Sequence, residues 1–496
     1  MLLILFILVV SLLYYLIQRN YNYWSDRGVP GPKPSFLVGN FGKSFIGKIS
    51  SGDIITNTYR EYENYPFVGI YKAITPVLII RDPEMVKNVM VKDFKNFHDN
   101  DIEVQKDLDP IFGRNPFVMR GAEWKQKRVQ LTGCFTSGKI KGMFPYMEHN
   151  LKGMMKYMEN AANTSTPLEA LDLCMRYTLD NVAICAFGVD GKAFEEHSAF
   201  KELAEKFFTA DSLPKKLKFW LMFNFPVISG LIKLKFIPKD VENHLIEMVS
   251  NTLKYRKENN VTRNDFLDVC SRMSTEGEAF TDIDIVAHAA SFFADGYDTS
   301  ARVMSFLLFE LASNPEVQQT LREELNESYI KNGNKFTYEA LHDLPYLDAC
   351  INEGLRKNFI AANLSKLCTE DYTYTSTSPN FKQMTVKLKA GDRVAIPVMG
   401  LHHDPKYFDD PEKFKPERFL KKENIQSFTH LPFGEGPRIC IGQRFGVTQV
   451  KVGLAYVIRN FQCTVNSKTQ LPLKFDPYFP MILAVGGLWL DFKKCE

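Results

Sequence analysis

The sequence predicts a mainly α-helical protein with a small β-sheet region, carried behind an N-terminal membrane anchor. Three observations predict it: an apolar run at residues 1–17, helical periodicity from about 120 to 360, and short β-like runs at 67–80 and 372–396. Hydrophobic residues make up 45% of the 496 and charged residues 24%, the balance of a packed protein rather than a disordered one. A net charge of +3 and the lack of any reader motif exclude nucleic acid as a partner.

The anchor comes first. Met1 to Ile17 is apolar apart from Ser11 and two Tyr, then Gln18, Arg19 and Asn20 turn the chain polar. At about 1.5 Å per residue this reaches the lower limit for a spanning helix. A cleaved signal peptide is the rival reading, but no basic stretch precedes the run and no A-x-A-like site follows it. Arg19, Arg27 and Lys33 place the C-terminal side in the cytoplasm. The expected organisation is a signal-anchor helix at 1–18, a polar and Pro-rich hinge at 19–35, and one catalytic domain at 36–496. Within the hinge, Val29-Pro30-Gly31-Pro32-Lys33-Pro34 resists helix and makes a semi-rigid extended arm.

Phe67 to Tyr71 and Pro76 to Ile80 read as two strands joined by a turn, and Asp82-Pro83-Glu84 starts a helix. The longest helix begins near Thr281, where Thr281 and Asp284 have capping-box spacing, and runs to Ser313 before Asn314-Pro315. Beyond 360, Tyr372 to Tyr374, Thr385 to Leu388 and Arg393 to Ile396 read as short strands. The nine Cys are odd in number, widely spaced and without C-x-x-C, which argues against a disulfide framework and against structural zinc.

The most informative stretch is Pro432-Phe433-Gly434-Glu435-Gly436-Pro437-Arg438-Ile439-Cys440-Ile441-Gly442, followed by a helical pattern from Gln443. Two Gly and a Pro make a tight, irregular turn that side chains would obstruct. Cys440 then falls at a helix start, where free N–H groups favour a thiolate, and Arg438 suits a carboxylate. Gly442 lets a flat ligand approach the backbone. Taken whole, the run resembles the haem-binding loop of the cytochrome P-450 superfamily, F-x-x-G-x-R-x-C-x-G, at Phe433, Gly436, Arg438, Cys440 and Gly442. The resemblance spans about residues 28–496 and points to insect microsomal members of the clan that oxidises foreign chemicals. It implies the cytochrome P-450 fold, haem b (iron protoporphyrin IX) with Cys440 as the metal ligand, and contacts to the cofactor from Phe433, Arg438 and Gly442.

Other motifs extend the resemblance. Glu353 and Arg356 form E-x-x-R, and Pro416-Glu417-Arg418-Phe419 matches P-E-R-F, implying a structural Glu353–Arg356–Arg418 network. Trp124 and Arg128 match W-x-x-x-R and by resemblance serve a haem propionate. Lys366 stands where the family often has a further basic propionate ligand, without the bidentate fork of Arg. In the long helix, Asp295-Gly296-Tyr297-Asp298-Thr299-Ser300 interrupts apolar sequence, a local strain that function should offset. A Thr299 hydroxyl reaching a carbonyl beside Gly296 would open a groove for O2 and water, and Asp298 would relay protons. The family pattern is [AG]-G-x-[DE]-T, so Thr299 and Asp298 are the expected catalytic pair. Asp295 departs from it, and either faces the cofactor or pairs elsewhere.

Phe219 to Ile237 is a second apolar stretch, too interrupted to span, that is either buried core or a patch dipping into the bilayer between Lys215, Lys216, Lys218, Lys233 and Lys235. Residues 99–119, 205–237, Phe292, Asp295, 360–364 and 478–482 are the expected substrate contacts. No flavin-binding fingerprint is present, so electrons must come from a separate protein. By resemblance this is NADPH-cytochrome P-450 reductase, with cytochrome b5 as a further donor. Lys125, Lys127, Lys139, Lys141, Lys421 and Lys422 form either its docking face or plain solvated surface. The implied activity inserts one oxygen atom of O2 into small lipophilic substrates, xenobiotic or endogenous, at the endoplasmic reticulum membrane. Two rivals remain: a haem-thiolate isomerase or lyase acting on peroxides, and a catalytically silent ligand-binding protein. Asp295, Gly354 and the lack of a Pro soon after Arg356 speak for the latter.

Overall fold

The computed structural model describes residues 2–208, 212–263, 265–275, 281–361 and 363–495. Met1 of the anchor, 209–211 of the 205–237 segment, Ala362 of the 360–364 segment, Glu496, and the side chains of Phe208, Pro226, Val227, Met273, Ser274, Thr275 and Lys422 lie outside the described residues.

The anchor sequence forms one helix, Leu2–Asn20, with none of its side chains buried. It is long and apolar enough to cross a membrane. It runs two residues beyond the expected boundary, and the segment after it is not a free arm. Trp24 is 2% exposed, its indole N–H donates to the Ile70 carbonyl at 3.1 Å, and the Tyr71 hydroxyl donates to the Tyr21 carbonyl at 2.7 Å. Gly31 lies so close to the strand that a Cβ there would come within 1.9 Å of the Gly69 carbonyl oxygen. The proline arm is thus fastened to the sheet by aromatic burial, which the polar sequence around it did not advertise.

That sheet has five strands in the order Phe67–Lys72, Thr75–Ile80, Arg393–Ile396, Leu364–Leu367, Asp99–Asn100. The first two form the expected hairpin, with Phe67 opposite Ile80. Thr75–Ile80 then pairs in parallel with Arg393–Ile396, joining segments more than 300 residues apart. Tyr372–Thr375 and Thr385–Leu388 pair separately as a two-stranded ribbon. Asp82 caps the helix Pro83–Lys87 by accepting the Glu84 N–H at 3.1 Å, with Pro83 where its missing N–H costs least.

The helical body is organised around Asp282–Ser313, 32 residues that pack chiefly against Ala170–Val182 and Gln443–Asn460. At about 1.5 Å per residue it crosses the whole domain. Its start is a complete capping box: the Thr281 hydroxyl accepts the Asp284 N–H and the Asp284 carboxylate accepts the Thr281 N–H at 3.1 Å. Asp284 also holds Lys127 at 3.1 Å and Arg114 at 3.2 Å. Thr281→Ala is expected to cost about 1 kcal/mol through loss of the cap, read as a lower thermal midpoint with unchanged cofactor content.

Phe219 to Ile237 folds as two short helices, Leu213–Asn224 and Pro226–Leu231, followed by a turn. The stretch is divided between core and surface. Phe219, Trp220, Met222, Phe236 and Ile237 are core, whereas Leu231 is 78% and Ile232 55% exposed. Lys235 turns inward to Glu242 and Lys216 pairs with Asp476, so neither is a free flanking cation. The expected docking face also loses members: Lys127 is buried on Asp284 and Lys141 pairs with Glu339, while Lys125 and Lys421 stay exposed.

Candidate active site

The Cys440 loop is shaped by its glycines. Gly434 and Gly436 both take φ of +71°, and a Cβ on Gly436 would stand 2.1 Å from the Met90 carbonyl oxygen. The turn brings the Cys440 N–H to the Phe433 carbonyl at 2.9 Å and ends where the helix Gln443–Asn460 begins. Eight of the nine Cys are buried or partly so. Cys440 alone is exposed, and its exposure is to an interior cavity of about 1120 Å³. Burial in the protein body pushes its thiol above the ordinary value. The Gly442 and Gln443 N–H groups and Arg128 pull the other way, and Asp295 adds to the rise. The N–H groups at the helix start thus favour the thiolate as expected, while desolvation opposes it more strongly. Gly442 lines the same cavity, and a Cβ there would meet nothing within 4 Å, so a flat ligand has room beside the sulfur. Phe433 lines it too.

The expected basic residues converge on one side of this cavity. Arg438 stacks on the Trp124 ring at 3.8 Å and donates to the carbonyls of His98 (2.8 Å), Pro116 (3.0 Å) and Met119 (2.9 Å). Its burial lowers it to about 10. Arg128 donates to the Ile439 carbonyl at 2.6 Å, one residue from Cys440. Lys366 donates to the Asn100 side chain at 2.8 Å, and burial, with Arg438 nearby, brings it down to about 7. All four line the cavity.

Behind the loop, Arg356 grips both Glu353 oxygens at 2.7 and 2.8 Å, and Arg418 reaches the same carboxylate at 3.3 Å. Arg356 also donates to the His402 carbonyl, and His402 Nε2 accepts the Leu431 N–H at 2.9 Å, which ties the network to the loop. Gly354 is explained by packing: a Cβ would lie 2.2 Å from Leu307 of the long helix.

The long helix supplies the opposite wall. The Thr299 hydroxyl donates to the Asp295 carbonyl at 2.6 Å, the expected carbonyl beside Gly296. The next two carbonyls are also taken, Gly296 by the Gln449 amide at 2.8 Å and Tyr297 by the Thr178 hydroxyl at 3.0 Å. Asp298 is not free to relay protons as it stands, because Arg302 holds both its oxygens at 2.8 and 2.9 Å. This i, i+4 pair was legible in the sequence and was missed. Arg302 in turn lines a second cavity of about 340 Å³, so the ion pair separates two interior spaces. Asp295 faces the large cavity and accepts the Asn115 amide at 3.0 Å, which settles its orientation. Nothing local marks Asn115 or Gln449 as partners. The remaining wall is largely aromatic and apolar, including Phe112, Phe117, Phe292, Phe475 and Phe479, and each segment expected to touch substrate contributes to it.

A single site thus joins a cysteine loop, a basic rim, and an acid and alcohol on a broken-patterned helix. The profile of the family described as Cytochrome P450 matches residues 29–484. The chain belongs to the cytochrome P-450 family. It is accordingly a haem monooxygenase, an oxidoreductase that needs dioxygen, an organic substrate and a redox partner. Similar cytochromes P-450 include insect proteins. Cytochrome P450 6j1 of Blattella germanica is 35% identical over 99% of this chain and 97% of its own length. Probable cytochrome P450 6a13 of Drosophila melanogaster is 37% identical over 100% and 99%. Cytochrome P450 9e2 of Blattella germanica is 32% identical over 98% and 96%. The residues present fit the haem that a cytochrome P-450 carries: a sulfur facing the cavity, open space at Gly442, and cations on one rim.

Proposed function

We propose that this cytochrome P-450 inserts one atom of O2 into small lipophilic substrates, xenobiotics or endogenous hormones and lipids, with electrons from NADPH. The donor in this reading is NADPH-cytochrome P-450 reductase, with cytochrome b5 as a second source. Residues 1–18 anchor the chain in the endoplasmic reticulum membrane, and 19–35, fastened to the sheet through Trp24 and Tyr21, join that anchor to the cytoplasmic catalytic domain of 36–496. The observation that carries the reading is the shared cavity, where the Cys440 sulfur and the Thr299–Asp298 pair line one largely apolar chamber.

Haem b held through Cys440 supplies dioxygen binding and reductive O–O cleavage, favoured by the electron push of a thiolate. The protein's residues do the rest. N–H groups of Gly442 and Gln443 aim at the sulfur and moderate its charge. Arg438, Arg128, Trp124 and Lys366 meet the propionates, and Phe433 and Gly442 shape the space for the ring. Thr299 holds its proton against the Asp295 carbonyl, poised at the chamber wall. Asp298 moves a proton only when Arg302 lets go of one carboxylate oxygen, so Arg302 meters that route.

The same clamp favours one rival, a haem-thiolate isomerase or lyase acting on peroxides, since such chemistry needs no proton relay. Reconstitution in vesicles separates the two. Product formation that requires NADPH, O2 and reductase together is the expected result. Product formed from an organic hydroperoxide alone, with none formed from O2, supports the rival. The silent-protein reading loses one of its supports, since Gly354 is accounted for by Leu307.

A further inference from the structure

Among the described residues, six of the seven carboxylates on the wall of the large cavity either pair with a basic side chain or complete a helix cap. Asp53 sits in a capping box with Ser50. Asp101 pairs with Arg393, Asp298 with Arg302, Glu310 with Lys357, Glu412 with His403 and Asp476 with Lys216. Asp295 is the exception among the described residues. Its side chain accepts from the neutral Asn115 amide, and no basic side chain among the described residues pairs with it.

A carboxylate taken out of water without a countercharge is costly, and proteins rarely keep one without a use. Desolvation raises Asp295 to about 6, so it is still mostly ionised at neutral pH. The Asn115 bond fastens it beside the segment that carries Phe112 and Phe117, two aromatic residues that line the same chamber. Aromatic faces attract organic cations and a carboxylate attracts them further. We propose that Asp295 is a specificity-determining residue that selects lipophilic cations, amines protonated or quaternary with an apolar body, for the oxidation described above. The inference deepens the proposed function and rests on it.

The chain's sequence sets Asp where the family pattern has Ala or Gly, so the cation preference belongs to this chain rather than to the family pattern. Asp295→Asn is the informative change, because an amide oxygen still accepts from Asn115 while the charge is lost.

The test uses the full-length holoenzyme and two probes of one shape, phenylbutyltrimethylammonium and its neutral tert-butyl carbon isostere, each titrated by the spectral shift it induces at pH 7.5, about 1.5 units above the carboxyl's value. The wild type should bind the cation at least about tenfold more tightly than the isostere, as one ion pair in a partly desolvated chamber requires. Asp295→Asn should erase that ratio without weakening the neutral probe, and Asp295→Glu should restore most of it. Equal binding of both probes by the wild type, or an unchanged ratio in Asp295→Asn, overturns the proposal. The carbon monoxide difference spectrum of each preparation reads the haem-thiolate site separately. Its loss in the wild type overturns the function and the inference together, whereas equal probe binding with that spectrum intact overturns the inference alone.

Discussion

Cys440→Ser abolishes oxidative turnover and the thiolate-type absorption of the reduced carbon monoxide complex. The change exchanges only sulfur for oxygen, and the backbone that holds it, the Cys440 N–H on Phe433 and the two left-handed glycines, has no reason to move. A serine alkoxide is far harder to form than a thiolate in a site where burial already penalises charge. The drop should exceed about 100-fold, equivalent to about 2.7 kcal/mol in the barrier. Retention of both turnover and the absorption band in Cys440→Ser contradicts the assignment of this sulfur.

Arg356→Ala should be the most damaging change away from the chamber. Both partners of the Arg356–Glu353 pair are fully buried, and Arg356 also satisfies the His402 carbonyl. Removing the guanidinium leaves an ionised Glu353 in the core with only Arg418 and the Lys415 N–H to answer it. Breaking one side of a buried pair typically costs about 3–5 kcal/mol. Because His402 accepts the Leu431 N–H, the loss passes directly to the start of the cysteine loop. We expect little haem-loaded protein from Arg356→Ala and faster thermal inactivation of what forms, measured as a rate because large chains often unfold irreversibly. Arg356→Lys should fall between, since a lysine cannot grip both Glu353 oxygens. A normal holoprotein yield and half-life for Arg356→Ala contradict a structural role for the network.

What was legible in the chain was what is local. The capping box at Thr281 and the stop at Asn314-Pro315 marked the ends of the long helix to within a residue, because caps act over three or four positions. The cysteine turn was equally legible, since Gly436 is demanded by its own backbone angle and by Met90 against it. What failed to show was what burial and distance decide. The side of Gly121–Thr132 that faces inward is set by Asp284, more than 150 residues away, so Lys127 read as surface. Asn115 on Asp295 and Gln449 on Gly296 likewise join distant segments with no pattern in common. Cys440 is a like case: a helix start is written in the sequence, and the depth at which its sulfur is buried is not.

The stitched segment between Asn20 and the sheet bears on how the protein can be handled in isolation. A soluble version trimmed at residue 36, the natural place to cut if 19–35 were a loose tether, would strip Trp24 and Tyr21 from the strands and leave an aromatic trough open to solvent. Trimming directly after Asn20 removes the greasy helix and spares that trough, so the severable joint lies at the foot of the helix and not in the prolines.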